Sequence, residues 1–336
     1  MTTHVTTDVT NAPMATAYAN VDALVIGATG FIGRWVATAL VQAGARVTCA
    51  VRDVAAMARL AEHHRLHVTI APVDLTNPRS VADLFAAHPA TITFNLAGYG
   101  IDRAEVDERL AQRINADLVR ELVTHCRAAN APPAWSGHRL VHVGSALEYG
   151  PIGGALPETA VAHPDTLYGR TKLAGTAYTI GQTGAMTARV FTVYGPGEHA
   201  GRLLPTLLAA RFSDTPIALS AGTQSRDFTY VEDVADGLLR LGAAADLSDR
   251  PVNMATGVLT TVRAFAETAA SVAGIAAERL TFGARAGYAD ETPHGQVSLA
   301  RMRDAIGWAP PTGIAAGIAR TIAADSAPSP SSYLSP

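Results

Sequence analysis

The sequence predicts an α/β fold: a doubly wound parallel sheet with helices on both faces, followed by a smaller C-terminal α/β region. Three observations predict it. Short apolar, β-rich runs alternate with longer helical patterns from residue 21 to about residue 189. The first run passes directly into a glycine-rich turn and then a helix. After Thr192 the alternation gives way to an irregular pattern broken by Pro and Gly.

The elements follow in order. Residues 22–27, Asp-Ala-Leu-Val-Ile-Gly, read as a buried strand, and 31–42 as a helix stopped by Gly44. Strands are expected over 45–52, 67–72, 90–97, 138–144 and 186–191. Helices are expected over 54–63, 80–87, 105–129 and 167–181. Strands joined in this way by helices run parallel through right-handed crossovers, and a ligand then sits at their carboxyl ends. The chain divides into a Thr/Ala/Asn-rich disordered extension over 1–20 and a sheet domain over 21–190. A second region covers mainly 191–325, with segments near 228–256 returning to the sheet, and a loose Ser/Pro-rich tail covers 326–336.

At 336 residues and 48% hydrophobic content the chain can bury a large core, and a net charge of −3 gives no reason to expect a nucleic-acid partner. Cys49 and Cys126 are the two cysteines, far apart, and they form neither a disulfide framework nor a metal spacing, which fits the cytoplasm. The 11 His form no ligand pattern, so no metal is expected. No apolar run is long enough to cross a membrane.

Gly27-Ala28-Thr29-Gly30-Phe31-Ile32-Gly33 follows the first strand and opens the first helix. Gly27 and Gly30 allow a tight turn and close backbone approach to a pyrophosphate, and Gly33 allows close helix–strand packing. The N–H groups of Phe31, Ile32 and Gly33 and the helix dipole favour the anion. This predicts a Rossmann-type dinucleotide site. The second strand ends Ala50-Val51-Arg52-Asp53. Val51 stands where an acid would bind the adenosine ribose, and Arg52 beside it suits a 2′-phosphate, with Arg34 assisting. The cofactor expected is therefore NADP(H). In the competing NAD(H) reading, Asp53 is the ribose acid and Arg52 is merely solvated.

The chain has one lysine among 26 Lys and Arg residues, Lys172, four residues after Tyr168 on a predicted helix. The pair therefore shares a face. A nearby ammonium favours phenolate, which would bring the Tyr168 pKa down toward working pH and let the phenol exchange a proton with a carbonyl oxygen. Lys172 can also hold the nicotinamide ribose. Ser145, just past the fifth strand in Val143-Gly144-Ser145, can hold the substrate oxygen.

With these motifs in place the chain, over residues 21–321, resembles the nucleotide-sugar (epimerase/dehydratase) branch of the extended short-chain dehydrogenase/reductase family. The resemblance includes Asp74-Leu75, Asn95-Leu96-Ala97-Gly98, Asn115, Arg189-Val-Phe-Thr-Val-Tyr-Gly-Pro-Gly197 and Arg226-Asp-Phe-Thr-Tyr-Val-Glu-Asp-Val234. It implies that Asp74 and Leu75 lie at the adenine side. It implies that Leu96, Ala97, Gly98, Asn115 and Val143 line the cofactor and that the second region binds substrate. Arg226 would face a substrate diphosphate, as a guanidinium fork suits. Arg202 and Leu204, in Gly201-Arg202-Leu203-Leu204, are further substrate-binding candidates, Arg202 as a second phosphate or base-side contact or else a surface Arg. Thr192 stands near the sugar where Asn is common in the family. The resemblance also implies a homodimer through the helices at 105–129 and 167–181.

The family leaves three reactions. Ala146 and Leu147 supply none of the acids a 4,6-dehydratase needs there. Ser145, Ala146, Tyr149 and Gly150 resemble epimerases, while Gly144-Ser145 with Glu148-Tyr149-Gly150 resembles 4-ketoreductases. Glu148 would then bind sugar hydroxyls, or else be a solvated turn acid. A reductase releases oxidised cofactor each turnover, which suits NADPH and Arg52. The expected activity is NADPH-dependent reduction of the C4 ketone of a nucleoside-diphosphate 4-keto-6-deoxyhexose, a deoxysugar step for a glycosylated secondary metabolite. An NAD-dependent nucleotide-sugar 4-epimerase is the alternative. Reduction of a non-nucleotide carbonyl would leave Arg226 without a diphosphate. A cofactor-sensing regulator is the reading from another class, and the retained Tyr168/Lys172 pair argues against it.

Overall fold

The computed structural model describes residues 16–102, 104–128, 134–287 and 295–326. The alternating pattern folds into β1 (Asp22–Ile26), β2 (Arg46–Val51), β3 (Thr69–Pro72), β4 (Ile92–Asn95), β5 (Leu140–Ser145) and β6 (Ala185–Val190). The irregular second part supplies β7 (Thr192–Tyr194), β8 (Ile217–Leu219), β9 (Ser225–Tyr230), β10 (Val252–Met254), β11 (Leu259–Thr261) and β12 (Leu280–Phe282). A seven-stranded sheet runs in the order β10-β6-β5-β4-β1-β2-β3, with every adjacent pair parallel. Its order reverses between β1 and β4, so the carboxyl ends of those strands open the crevice where such folds bind ligands.

The helices are α1 (Phe31–Gln42), α2 (Val54–His63), α3 (Pro78–Ala87), α4 (Glu108–Gln112), α5 (Leu118–Ala128), α6 (Leu167–Thr179), α7 (Leu203–Ala210), α8 (Val231–Ala243), α9 (Val262–Ala273), α10 (Ala300–Ile306) and α11 (Ile314–Ser326). They cover both faces of the sheet, which is why β5 and β6 are buried at all six of their positions. One core packs Val25, Val36, Leu40, Phe94 and Leu238 against one face. Another packs Leu24, Ile26, Leu84, Leu118 and Leu122 against the other. A third gathers Tyr194, Leu207, Phe228, Phe265 and Ile318, with the rings of Phe228 and Phe265 stacked at 4.1 Å.

Several boundaries differ from the sequence expectation. The extension expected to be disordered through residue 20 is ordered from Thr16, helical over 16–18, and anchored by Tyr18. Tyr18 is fully buried, donates to the Leu239 carbonyl at 2.8 Å, and lies against Phe94 and Trp135. The rest of that extension, 1–15, and the tail, 327–336, lie outside the described residues. The third helix starts at Pro78 because Asn77 caps it by accepting from the Arg79 N–H and proline suits the first turn. The long helix begins at Glu108, capped by Asp107, and is rewound by a π-helical turn over Arg113–Asp117. Of the segments expected to return to the main sheet, β10 does. The β9 strand joins a separate sheet of order β11-β9-β7 instead.

Candidate functional site

The glycine turn is built as its residues require. Gly27 has φ +81°, and a Cβ there would sit 3.0 Å from the backbone of Leu96 and Ala97. A Cβ on Gly33 would land on the Gly27 carbonyl oxygen, so only glycine lets α1 start this close to the strand. Gly30 is the N-cap, with no side-chain cap and no acid in the first turn. The N–H groups of Phe31, Ile32 and Gly33 therefore face the crevice with the positive end of the helix dipole. This cradle fits a dinucleotide pyrophosphate.

Arg34 was expected to help Arg52. Instead its guanidinium folds back on the turn, donating to the carbonyls of Thr29 at 3.0 Å and Gly30 at 3.2 Å, and lies against Gly197. It braces the turn. Arg52 is exposed at the end of β2. Asp53 caps α2 by accepting from the Ala56 N–H at 2.8 Å. Asp74 is exposed beyond β3 next to half-buried Leu75. Its carboxyl is held below the usual range by the Thr76 hydroxyl and N–H, with the charges of Arg113 and Arg52 adding to this.

The catalytic candidates converge from three elements. Thr166 caps α6, and Tyr168 and Lys172 project from its first turns. Lys172 is buried, and its ammonium donates to the carbonyls of Val143 at 2.9 Å and Ala97 at 3.3 Å. A Cβ on Gly98 would come within 3.4 Å of it. Asn115 sits in the π turn, where its amide donates to the Tyr99 carbonyl at 2.7 Å and the Thr171 hydroxyl at 2.9 Å and accepts from the Tyr99 N–H at 2.9 Å. The structure therefore gathers Leu96, Ala97, Gly98, Asn115, Val143 and Lys172 on one side of the crevice. Ser145 ends β5, where its hydroxyl accepts from the Leu147 N–H at 3.2 Å and lies close enough to the Tyr168 phenol to pull its pKa down.

The expected electrostatics of the pair needs correction. The Lys172 ammonium lies 5.9 Å from the Tyr168 ring centroid and spends its protons on backbone carbonyls. Burial, with the charges of Glu148 and Glu105, pushes the phenol well above its ordinary value, against the pull of Ser145 and Arg202. Burial also pulls Lys172 down to about 8, opposed by Glu148. Without cofactor the pair is a neutral phenol beside a weakened ammonium.

Glu148, expected to reach sugar hydroxyls, is instead fully buried. One oxygen accepts from the Ser145 N–H at 2.8 Å, closing a capping box, and the other pairs with Arg189 at 2.8 Å. Its role here is to hold the Ser145 turn. Leu204 is 1% exposed and belongs to the third core. Ala146 is buried directly behind Ser145, and Thr192 is half-buried where β7 meets Phe228 of β9. Arg202 is exposed at the N-cap of α7, and its charge reaches both Tyr168 and Glu198. Arg226 is half-buried on β9 and donates to the Ser225 carbonyl at 2.9 Å.

Two nearby acids were missed. Glu105 accepts from the Gly100 N–H at 2.8 Å and holds the Tyr99–Gly100 corner over Tyr168. In the sequence its position suggests a helix start, but the helix begins three residues later, at Glu108, and Glu105 turns back to the Gly100 N–H. Glu198, raised to about 7 by burial, lines a cavity of about 410 Å³ with Leu204, Arg211 and Phe212, and none of Ser145, Tyr168 or Lys172 lines it. Among the described residues no His/Cys/Asp/Glu group suits a metal, and no helix is long and apolar enough to cross a membrane.

Several known proteins are similar to this chain in sequence or fold. A 4-dehydrogenase from Kitasatospora kifunensis, dTDP-6-deoxy-L-talose 4-dehydrogenase (NAD(P)(+)), is 32% identical over 304 residues, covering 85% of this chain and 90% of that one. A dTDP-4-dehydrorhamnose reductase from Streptomyces griseus is 29% identical, covering 69% and 68%. The structure of MoeE5 in complex with UDP-glucuronic acid and NAD superposes with a TM-score of 0.73 at 25% identity, covering 90% of this chain and 98% of that one. The family model described as the NAD dependent epimerase/dehydratase family matches residues 23–255. With that match over most of the chain, the parallel sheet, the glycine turn and the Ser145/Tyr168/Lys172 group have one common explanation: this protein is a member of the NAD dependent epimerase/dehydratase family of extended short-chain dehydrogenases/reductases.

Proposed function

We propose that this chain is a nucleotide-sugar oxidoreductase that reduces the C4 ketone of a nucleoside-diphosphate 4-keto-6-deoxyhexose, using NADPH. The observation that carries this reading is a buried, protonated Tyr168 phenol close to Ser145 at the end of β5 and to Lys172 on its own helix. A bound nicotinamide dinucleotide would supply the hydride. Ser145 donates to the carbonyl oxygen and holds it. Tyr168 gives its proton to the oxygen as it becomes an alkoxide, a far stronger base than phenolate, so a raised phenol pKa does not obstruct the transfer. Lys172 fixes the crevice wall and sets the local charge. The Kitasatospora and Streptomyces relatives are named for redox at C4 of dTDP-deoxysugars, and a 4-dehydrogenase and a 4-ketoreductase run one step in opposite directions.

Arg52 supports NADPH. It is exposed at the strand end, while the competing acid, Asp53, is engaged as a helix cap. A 4-epimerase retaining NAD is the second reading, favoured by the NAD and UDP-glucuronic acid bound to MoeE5. The assembly we propose is a homodimer through α4, α5 and α6.

Nicotinamide absorbance decides between the two enzymatic readings. With a dTDP-4-keto-6-deoxyhexose generated in place, stoichiometric loss of NADPH is expected, faster than with NADH. Arg52→Ala should raise the KM for NADPH roughly tenfold and leave that for NADH unchanged. No cofactor loss, with interconversion of C4 epimers instead, would sink the reductase.

A further inference from the structure

Beneath Lys172 runs a chain of buried polar contacts. Asn95, His142 and Thr187 lie side by side on β4, β5 and β6, in register and almost completely buried. The Asn95 Oδ1 accepts from the Ala97 N–H at 3.2 Å. A backbone N–H can only donate, so the atom facing it is the oxygen, and the amide nitrogen faces His142. That nitrogen lies 3.1 Å from His142 Nδ1. His142 Nδ1 is therefore the acceptor, and the imidazole proton is on Nε2. Among the described residues this is the one polar contact His142 makes. Ala97, fixed at its N–H by Asn95, turns its carbonyl to the Lys172 ammonium at 3.3 Å.

We propose that His142 is a positioning residue for Lys172, acting through Asn95 and the Ala97 carbonyl. The inference rests on the reading of Lys172 as part of the reaction centre. Burial and the Lys172 charge hold His142 well below its ordinary pKa, so it stays a neutral acceptor across the neutral range. Protonation would set Nδ1–H against the Asn95 N–H and break the chain. Charged and titratable groups around Lys172 include Tyr168 from its own helix, Glu148 from the Ala146–Glu148 turn and His142 from β5. The π turn presents Asn115, which is uncharged.

Because Lys172 is the chain's one lysine, lysine labelled with ¹³C at Cε gives a single side-chain signal, and its titration can be followed by NMR in the full-length protein without substrate. The wild type should titrate at about 8. His142→Leu removes the acceptor and should move that midpoint down by about one unit. His142→Asn places a carbonyl oxygen where Nδ1 was and should keep the wild-type midpoint. Turnover against pH should follow the same order, with the Leu variant about twofold slower at pH 7 and its profile shifted down by the same one unit. Equal midpoints in all three proteins, or an Asn variant shifted as far as the Leu variant, would overturn the proposal. Midpoints that move as expected while turnover stays constant would uphold the positioning role and instead sink the reading of Lys172 in catalysis.

Discussion

At the residue scale the site depends on what each side chain is already doing. Tyr168 has no carboxylate partner, and its phenol is protonated through the neutral range, which is the state a proton donor needs. Tyr168→Phe keeps the ring and removes the proton. Turnover of the 4-keto substrate should fall by about 10²–10⁴-fold while NADPH binding, followed by fluorescence, stays within about twofold. A variant turning over near the wild-type rate would remove Tyr168 from the chemistry. The identities of Ser145, Tyr168 and Lys172 were legible because spacing alone places Tyr and Lys on one helix face and Ser at a strand end. Their electrostatics was not, because it depends on burial and on Glu105 and Glu148, which lie on other elements. Glu148 was misread for the same reason: its partner, Arg189, is 41 residues away.

At the element scale, the alternation of apolar runs and helical patterns was enough to place β1 to β6 and the helices between them. Short strands such as β7, β8 and β11 escaped it, since three residues carry no usable period. The π turn was also invisible, because Arg-Ile-Asn-Ala-Asp has an ordinary helical composition and the rewinding comes from packing Asn115 toward Tyr99 and Thr171. The proposed dimer belongs to this scale. Exposed charges on α5 would oppose it, but several are satisfied within the chain. Arg113 forms a two-pronged pair with Glu121, Arg120 lies over Tyr178, and Arg127 reaches Gln182. Light scattering should return twice the chain mass, and an Ala177→Asp change on the exposed side of α6 should shift it to the monomer. A wild-type monomer at micromolar concentration would rule the dimer out.

Over the whole molecule, the buried phenols and thiols set the alkaline limit. Burial raises Tyr18, Tyr149, Tyr168, Tyr194 and Tyr230, and it pushes Cys49 up to about 12 and Cys126 to about 11. Groups raised in the folded state hold protons that the unfolded chain has already released, so the stability they contribute is intact at neutral pH. It is lost as pH climbs above about 9, the range where free thiols and then phenols ionise. Lys172 works the other way: lowered to about 8, it favours folding as pH rises from there toward the value of a free lysine. One such group opposes seven. The urea midpoint should therefore fall between pH 8 and pH 10, and a midpoint that rises would show that these groups are solvated in solution.

Tyr18 bears on how the chain is made. Its hydroxyl is tied to the Leu239 carbonyl, 221 residues later, and a Cβ on Gly242 would nearly touch that hydroxyl. During synthesis the residue emerges before the first strand, yet the helix that sheathes it emerges only when most of the chain has been made. Until then one face of the growing sheet keeps an aromatic cluster exposed to solvent. The nascent protein is therefore most in need of a chaperone's cover on the face that the late helix closes.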